Sequence, residues 1–289
     1  MFTLLKSILL SYISLNNKDF IQKHNLENHP YTVGENQFIE RNYTNEFYIH
    51  NNHYIINNDH KNINMNVFLD DSNITEVDWR KNHKVSSVKN QGQCGSCWSF
   101  SSVGAVESAW AIKHNVLYNL SEQELVDCST DNHGCEGGEM DFAFQYIMNN
   151  GLCTNLSYPY EGYDDMCNKS NCDSIVTITN YSDVTQNNET ELKKHVFVQP
   201  VSVAIQANKR SFQMYQSGIY DDYDCGFELD HGVLVIGYGY DNDLNLSYWI
   251  IKNSWGKSWG ENGYIRIQRN INDTRGLCGV AMAPSYPIV

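Results

Sequence analysis

At 289 residues and 33.2 kDa the chain has room for roughly two compact units, at about 150 residues per domain. Apolar residues make up 41%, mean hydropathy is −0.49, and no apolar run approaches the roughly eighteen residues of a membrane-spanning helix. The formal charge of −14 sets the chain against phosphate backbones and anionic lipid, so nucleic-acid and membrane binding are disfavoured.

Met1 to Leu15, with Lys6 followed by Ile8-Leu9-Leu10, reads as a signal peptide, the alternative being the first turn of a helix in the segment that follows. Residues 16–72 carry no cysteine and many Asn and His, with Phe38, Tyr43, Phe47, Tyr48, Ile49 and Ile55 at loose helical spacing. From Val77 onward Trp, Gly and Cys become dense. Ser99 to Asn115 is predicted helical, because Phe100, Val103, Val106 and Ala109-Trp110 recur at three- and four-residue steps. Ser121-Glu-Gln-Glu124 has the form of a capping box, and Glu139 to Asn149 reads as a further helix ended by Gly151. After Asn188 the texture changes. Val201–Ile205, Gly232–Gly237, Ser247–Ile251 and Gly263–Gln268 are β-branched and aromatic runs between glycines, as strands require. A helical half followed by a strand-rich half predicts an α+β fold with two subdomains that frame a cleft.

Nine cysteines are present, an odd number, which suggests bridges plus one free thiol and hence an oxidising compartment. Cys94-Gly-Ser-Cys97 has no second CxxC or HxxxH partner, so no metal or other cofactor is expected. Gln91-Gly-Gln-Cys94-Gly-Ser-Cys97-Trp98 instead runs straight into the predicted Ser99 helix. A cysteine at a helix N-terminus lies in positive backbone potential that favours thiolate. A thiolate nucleophile needs a base, and the base needs an orienting group. Asp230-His231-Gly232 and Lys252-Asn253-Ser254-Trp255-Gly256 supply them, 134 residues (His231) and 156 residues (Asn253) after Cys97. Each is weak alone, and the Cys/His/Asn set is specific.

On these residues the sequence resembles the papain family, in its cathepsin L-like branch. The likeness extends over about 73–289, through Val77-Asp-Trp-Arg80, Leu120-Ser-Glu-Gln-Glu-Leu-Val-Asp-Cys128, Gly134-Cys-Glu-Gly-Gly138, Tyr158-Pro-Tyr160, Gln199-Pro-Val-Ser-Val203 and Gly260-Glu-Asn-Gly-Tyr264. The resemblance implies a papain-like two-subdomain fold, helical over about 82–186 and β-barrel-like over about 187–289, with the active-site cleft between them. It implies a cysteine endopeptidase in which Cys97 is the nucleophile, His231 the general base and acid, Asn253 its orienter, Trp255 a shield, and Gln91 an oxyanion donor. The second reading is a catalytically silent binding or storage homologue. Met140, Ala204, Leu229, Gly232 and Ala283 would line an apolar pocket for a bulky Leu or Phe at the second position before the cut, beside Asp230 and Trp255. Gly138 would pair with substrate backbone, since no side chain blocks the approach. The implied bridges are Cys94–Cys135, Cys128–Cys167 and Cys225–Cys278, with Cys153–Cys172 as an extra pair resembling the falcipain-like group. Implied partners are polypeptide substrates and cystatin-like inhibitors, for a monomer that is secreted or held in a lysosome-like acidic compartment. Sequons such as Asn119-Leu-Ser121 and Asn272-Asp-Thr274 make glycosylation an expectation.

The resemblance also makes residues 16–72 an inhibitor-type pro-region, small and helical. Glu40, Thr44, Tyr48, Asn51, Ile55 and Asp59 match its helix pattern, and Asn64-Met-Asn66-Val-Phe68-Leu-Asp70 its second motif. Seven residues then separate Asp70 from Asp78, which predicts a shortened arm that covers the cleft poorly.

Overall fold

The computed structural model describes residues 2–43 and 75–289. Helix α1 (Phe2–Leu26) is continuous through Leu15, where the signal peptide was expected to end. Strand β1 (Tyr31–Val33) follows, and residues 37–40 form a turn. Glu40 therefore stands in a turn and not in the helix that the pro-motif spacing predicted. The physical reason is local: Asn36 caps the turn by accepting from the Phe38 N–H, and Asn17 of α1 donates to the carbonyls of Ile39 and Arg41, at 2.7 and 2.9 Å. Those carbonyls are thereby diverted from a helical ladder. The rest of that pattern, Thr44 to Asp59, and the motif at Asn64–Asp70 lie outside the described residues.

The helical lobe contains α2 (Cys97–His114), α3 (Glu122–Cys128) and α4 (Met140–Asn150). The periodicity of α2 predicts one buried face, yet the helix is buried almost all round, because it runs through the middle of the molecule between α3, α4 and the sheet. Ser121 caps α3 by accepting from the Glu124 N–H. The reciprocal half of the predicted box does not form. The Ser121 N–H goes to the Cys153 carbonyl, while the Glu124 carboxylate turns to the Cys153 N–H (2.7 Å), Lys169 Nζ (2.7 Å) and Tyr146 Oη (3.1 Å). α4 ends at Gly151, whose φ of 69° is cheap for glycine.

The strand-rich lobe is built on one sheet. Its members are β2 (Val77–Asp78), β3 (Asn180–Asp183), β4 (Val201–Ile205), β5 (Tyr215–Tyr220), β6 (His231–Asp241), β7 (Leu246–Lys252), β8 (Tyr264–Gln268) and β9 (Ser285–Ile288). With β1 the order is β1-β5-β8-β7-β6-β4-β9-β3, and β2 pairs with β6. A helix, α5 (Glu189–Val198), stands where strands were expected. Asn188 caps it, and Leu192 and Val196 bury it on β4 and β6. The short helix α6 (Arg210–Gln213) precedes β5.

Period-two alternation lets β6 serve two cores at once. Val233 and Val235 face the core of the strand-rich lobe, and Leu234 and Ile236 face the core shared with α2 and α4. Four disulfides close as the resemblance implied: Cys94–Cys135, Cys128–Cys167 and Cys153–Cys172 in the helical lobe, and Cys225–Cys278 in the other. Each closed loop removes unfolded-state freedom, at about 2–4 kcal/mol per bridge.

Glu124 is fully buried and holds one backbone N–H and one ammonium. Glu124→Ala should therefore destabilise the protein by about 3 kcal/mol. The urea midpoint, read with the disulfides intact, measures it, and an unchanged midpoint would contradict this account of the cap.

Candidate active site

Cys97 is the one free cysteine of the nine and occupies the first position of α2. Its helix is placed by the preceding loop. Ser96 Oγ meets Tyr160 Oη at 2.7 Å, Tyr160 Oη donates to the Gln91 carbonyl, and the Gly95 N–H donates to the Cys135 carbonyl. His231 opens β6 opposite Ile205, and Asn253 directly follows β7, where its N–H bonds the Gly263 carbonyl. These are neighbouring strands of one sheet, so residues 22 apart in sequence meet: His231 Nε2 lies 2.8 Å from Asn253 Oδ1.

The hydrogen bonds settle which atoms face which. Asn253 Oδ1 also accepts the Ser254 N–H at 2.7 Å, so the amide must present its oxygen on this side. His231 Nε2 is then the donor, which leaves Nδ1 as the free nitrogen. Trp255 stacks on the imidazole at 4.6 Å and 24° and shields that bond. Gln91 is fixed by the same rule. Ser254 Oγ donates to its Oε1 at 2.6 Å and its Nε2 donates to the Cys94 carbonyl at 2.9 Å, which leaves one amide proton uncommitted. Gln91, Cys97, Asp230, His231 and Trp255 line one cleft between the lobes.

Burial dominates the electrostatics. It pushes the Cys97 thiol up to about 11, against the backbone N–H groups of Gly232, Trp98 and Cys97 itself, which favour thiolate. It holds His231 down to about 4, against its bond to Asn253. Both effects oppose the thiolate–imidazolium pair while the cleft is covered. Asp230 is pushed up to about 7 by burial, although it accepts the Ala207 N–H and lies near the Arg41 guanidinium.

The cover comes from the N-terminal segment. β1 adds to β5, with Tyr31 opposite Gly218, and the ring of Tyr31 sits 4.9 Å from that of Tyr220. A Cβ on Gly218 would fall 2.3 Å from the Pro30 carbonyl oxygen, so this edge accepts the strand only as glycine. Gln37 Nε2 donates to the Trp255 carbonyl and Phe38 meets the Trp255 ring edge-on at 5.0 Å. Gln37, Phe38 and Arg41 thus line the cleft together with Cys97 and His231. The motif at 40–70 gave no sign of this contact, since each of its partners lies more than 160 residues away.

The expected specificity residues also gather. Met140, Ala204 and Leu229 are buried in one apolar cluster, with Ala283 packed against it, and a Cβ on Gly232 would sit 3.2 Å from Met140 Sδ. Met282, absent from the sequence-based set, joins that cluster. Gly138 meets a packing constraint besides the open approach expected of it. A side chain there would collide with Asn132 Oδ1 at 2.3 Å and with Trp98 at 2.9 Å, so glycine is demanded by what lies behind it.

Comparison with known proteins agrees with this arrangement. Residues 74–288 match the model of the family described as papain family cysteine protease. The chain is 53% identical over 215 residues to cysteine proteinase RD21A of Arabidopsis thaliana, covering 73% of this chain and 46% of that protein. It is 54% identical over 215 residues to vignain of Ricinus communis, covering 73% of this chain and 59% of that one. The chain thus spans about half the length of these curated relatives. Among solved structures it resembles the proform of the ragweed pollen cysteine protease Amb a 11, with TM-score 0.88 and 36% identity, over 97% of this chain and 88% of that one. It also resembles digestive procathepsin L 3 of Tenebrio molitor, with TM-score 0.86 and 40% identity, over 99% and 93%. The chain belongs to the papain family of cysteine proteases.

Proposed function

We propose that the chain is the latent precursor of a cysteine endopeptidase. The observation that carries this is the Nε2–Oδ1 bond of His231 and Asn253 beside the free, helix-opening Cys97 in one cleft. In this reading Cys97 gives its proton to His231 Nδ1 and attacks the peptide carbonyl. The Cys97 N–H and the uncommitted Gln91 amide proton receive the oxyanion. The imidazolium returns the proton to the departing amine, and water then hydrolyses the thioester with His231 as base. Asn253 keeps Nδ1 facing the thiol by holding Nε2. Asp230 and Trp255 border the site, and the cluster of Met140, Ala204, Leu229, Gly232 and Ala283 takes a bulky apolar side chain.

Residues 2–43 act as the docked part of the pro-region, and residues 44–74 connect it to the protease domain. The arm expected after Asp70 lies outside the described residues. Latency is the reading that the docking of Gln37 and Phe38 on Trp255 supports, where the motif positions suggested partial activity. When Gln37 and Phe38 leave, water enters the cleft and the burial that keeps Cys97 and His231 neutral is relieved. Secretion or a lysosome-like acidic compartment suits a chain with four bridges. No helix among the described residues is long and apolar enough to cross a membrane. Cystatin-like inhibitors and protein substrates are the partners that such a cleft would admit.

Cys97→Ala should abolish peptide hydrolysis and leave the thermal unfolding midpoint nearly unchanged; hydrolysis by that variant would sink the mechanism. A peptide library should show Leu or Phe preferred over Arg at the second position before the cut, and the reverse order would refute the pocket. The covered Cys97→Ala chain should keep His231 neutral down to about pH 4. Because this value lies below the ordinary 6.5, neutral His231 stabilises the covered form above pH 6.5, and that contribution is lost as pH falls from 6.5 towards 4. An imidazole NMR titration centred near 6.5 in the covered chain would contradict it.

A further inference from the structure

Asn253 has a second end that the mechanism does not use. Its Nδ2 is buried and has no hydrogen-bond partner in the protein, and the same holds for Oε2 of Glu122. Both residues line one small cavity of about 20 Å³, with Lys89, Ser101, Lys252 and Ser254 around it. One orphan is a donor and the other an acceptor. A single water needs roughly 10–15 Å³ of such space and two or more polar partners. The cavity has the room for one, and the two residues on its wall carry an unpartnered donor, Nδ2, and an unpartnered acceptor, Oε2.

The other oxygen of Glu122 belongs to a buried chain of charges. Oε1 lies 2.5 Å from Lys89 Nζ, and Lys89 Nζ lies 3.0 Å from Glu107 Oε1. Glu107 accepts from Ser86 Oγ, and Ser86 Oγ accepts from Lys252 Nζ at 2.8 Å. Lys252 is the residue before Asn253, so a water between Asn253 and Glu122 closes a ring across the junction of the lobes.

We propose that one buried water bridges Asn253 Nδ2 to Glu122 Oε2 and makes Glu122 a positioning residue for the His231–Asn253 pair, a role that rests on the functional reading above. The ring gives the Asn253 amide a direction. Turned over, its oxygen would face the Glu122 carboxylate and its NH₂ would face two donors, His231 Nε2–H and the Ser254 N–H. Glu122 thus helps to hold the imidazole in the tautomer that leaves Nδ1 free, through a water and without touching substrate.

Two measurements test this. A crystal structure of the full-length Cys97→Ala chain at better than about 1.8 Å should show one ordered water within about 3.2 Å of both atoms. A dry cavity, or Asn253 Nδ2 bonded to a protein group, overturns the proposal whatever the variants do. In the processed enzyme, Glu122→Met should lower kcat by between about tenfold and a hundredfold, with KM within about twofold and a displaced pH–rate profile. Glu122→Gln, which keeps polar atoms at the cavity, should restore most of kcat. A folded Glu122→Met enzyme with unchanged kcat and pH profile would defeat the positioning role. Should that variant not fold, Lys89→Met/Glu122→Met, which leaves no unpaired ammonium at position 89, takes its place under the same criteria. Loss of hydrolysis in Cys97→Ala checks the functional reading separately, so the two can fail independently.

Discussion

The contact on which the rest depends is between two stretches of backbone. Gly232, the second residue of β6, lies against Cys97 so closely that an added Cβ would stand 3.3 Å from both the carbonyl carbon and the oxygen of Cys97. The separation of thiol and imidazole is thereby fixed by main chain, the least adjustable part of either lobe. The burial of α2 almost all round and the two-faced packing of β6 follow from this closeness. A helix whose first residue meets the sheet must run through the molecule, and the strand that receives it must be apolar on both sides.

Once that contact is fixed, a small set of hydrogen bonds gives direction to groups that could otherwise point two ways. The backbone N–H of Ser254 decides which end of the Asn253 amide faces His231, and the hydroxyl of Ser254 decides which end of the Gln91 amide faces Cys94. One residue thus orients both the Asn253 amide beside His231 and the Gln91 amide beside Cys94. The N-terminal segment acts on the same small region from outside. Phe38 edge-on to Trp255, and Trp255 stacked on His231, form a continuous row of aromatic contacts, so the same contact that seals the rim dries the imidazole.

The legible parts of the sequence were those whose signal is local or whose motif is long. α2, α4 and the strands β4, β6, β7 and β8 announce themselves by period and by flanking glycine. The candidate site residues stand out in the sequence because each sits in a short string with few alternatives. α5 was hidden because only Leu192 and Val196 mark its buried face among charged neighbours. β5 and β9 were hidden because each is interrupted, by Gly218 and Pro287 respectively. The N-terminal segment misled for a different reason. Phe38 and Tyr43 do have partners, but these are the Trp255 ring, the Arg210 guanidinium and the Gln213 amide, contacts that no window of sequence contains. Glu124 shows the limit of motif reading at a single residue. The string predicts a cap, and the carboxylate had stronger partners in Cys153 and Lys169.

The placement of the four disulfides has a mechanical consequence. Each joins two points within one lobe, and none of the eight bonded cysteines crosses from one lobe to the other. Covalent stiffness is therefore spent inside the two halves, while the join between them relies on packing, on the Lys89–Glu107–Glu122–Lys252 charges and on continuity of the chain. A molecule built this way yields first along its mid-line when loaded. The elastic give of the protein is concentrated in the cleft that Cys97 and His231 line, and the walls on either side stay rigid.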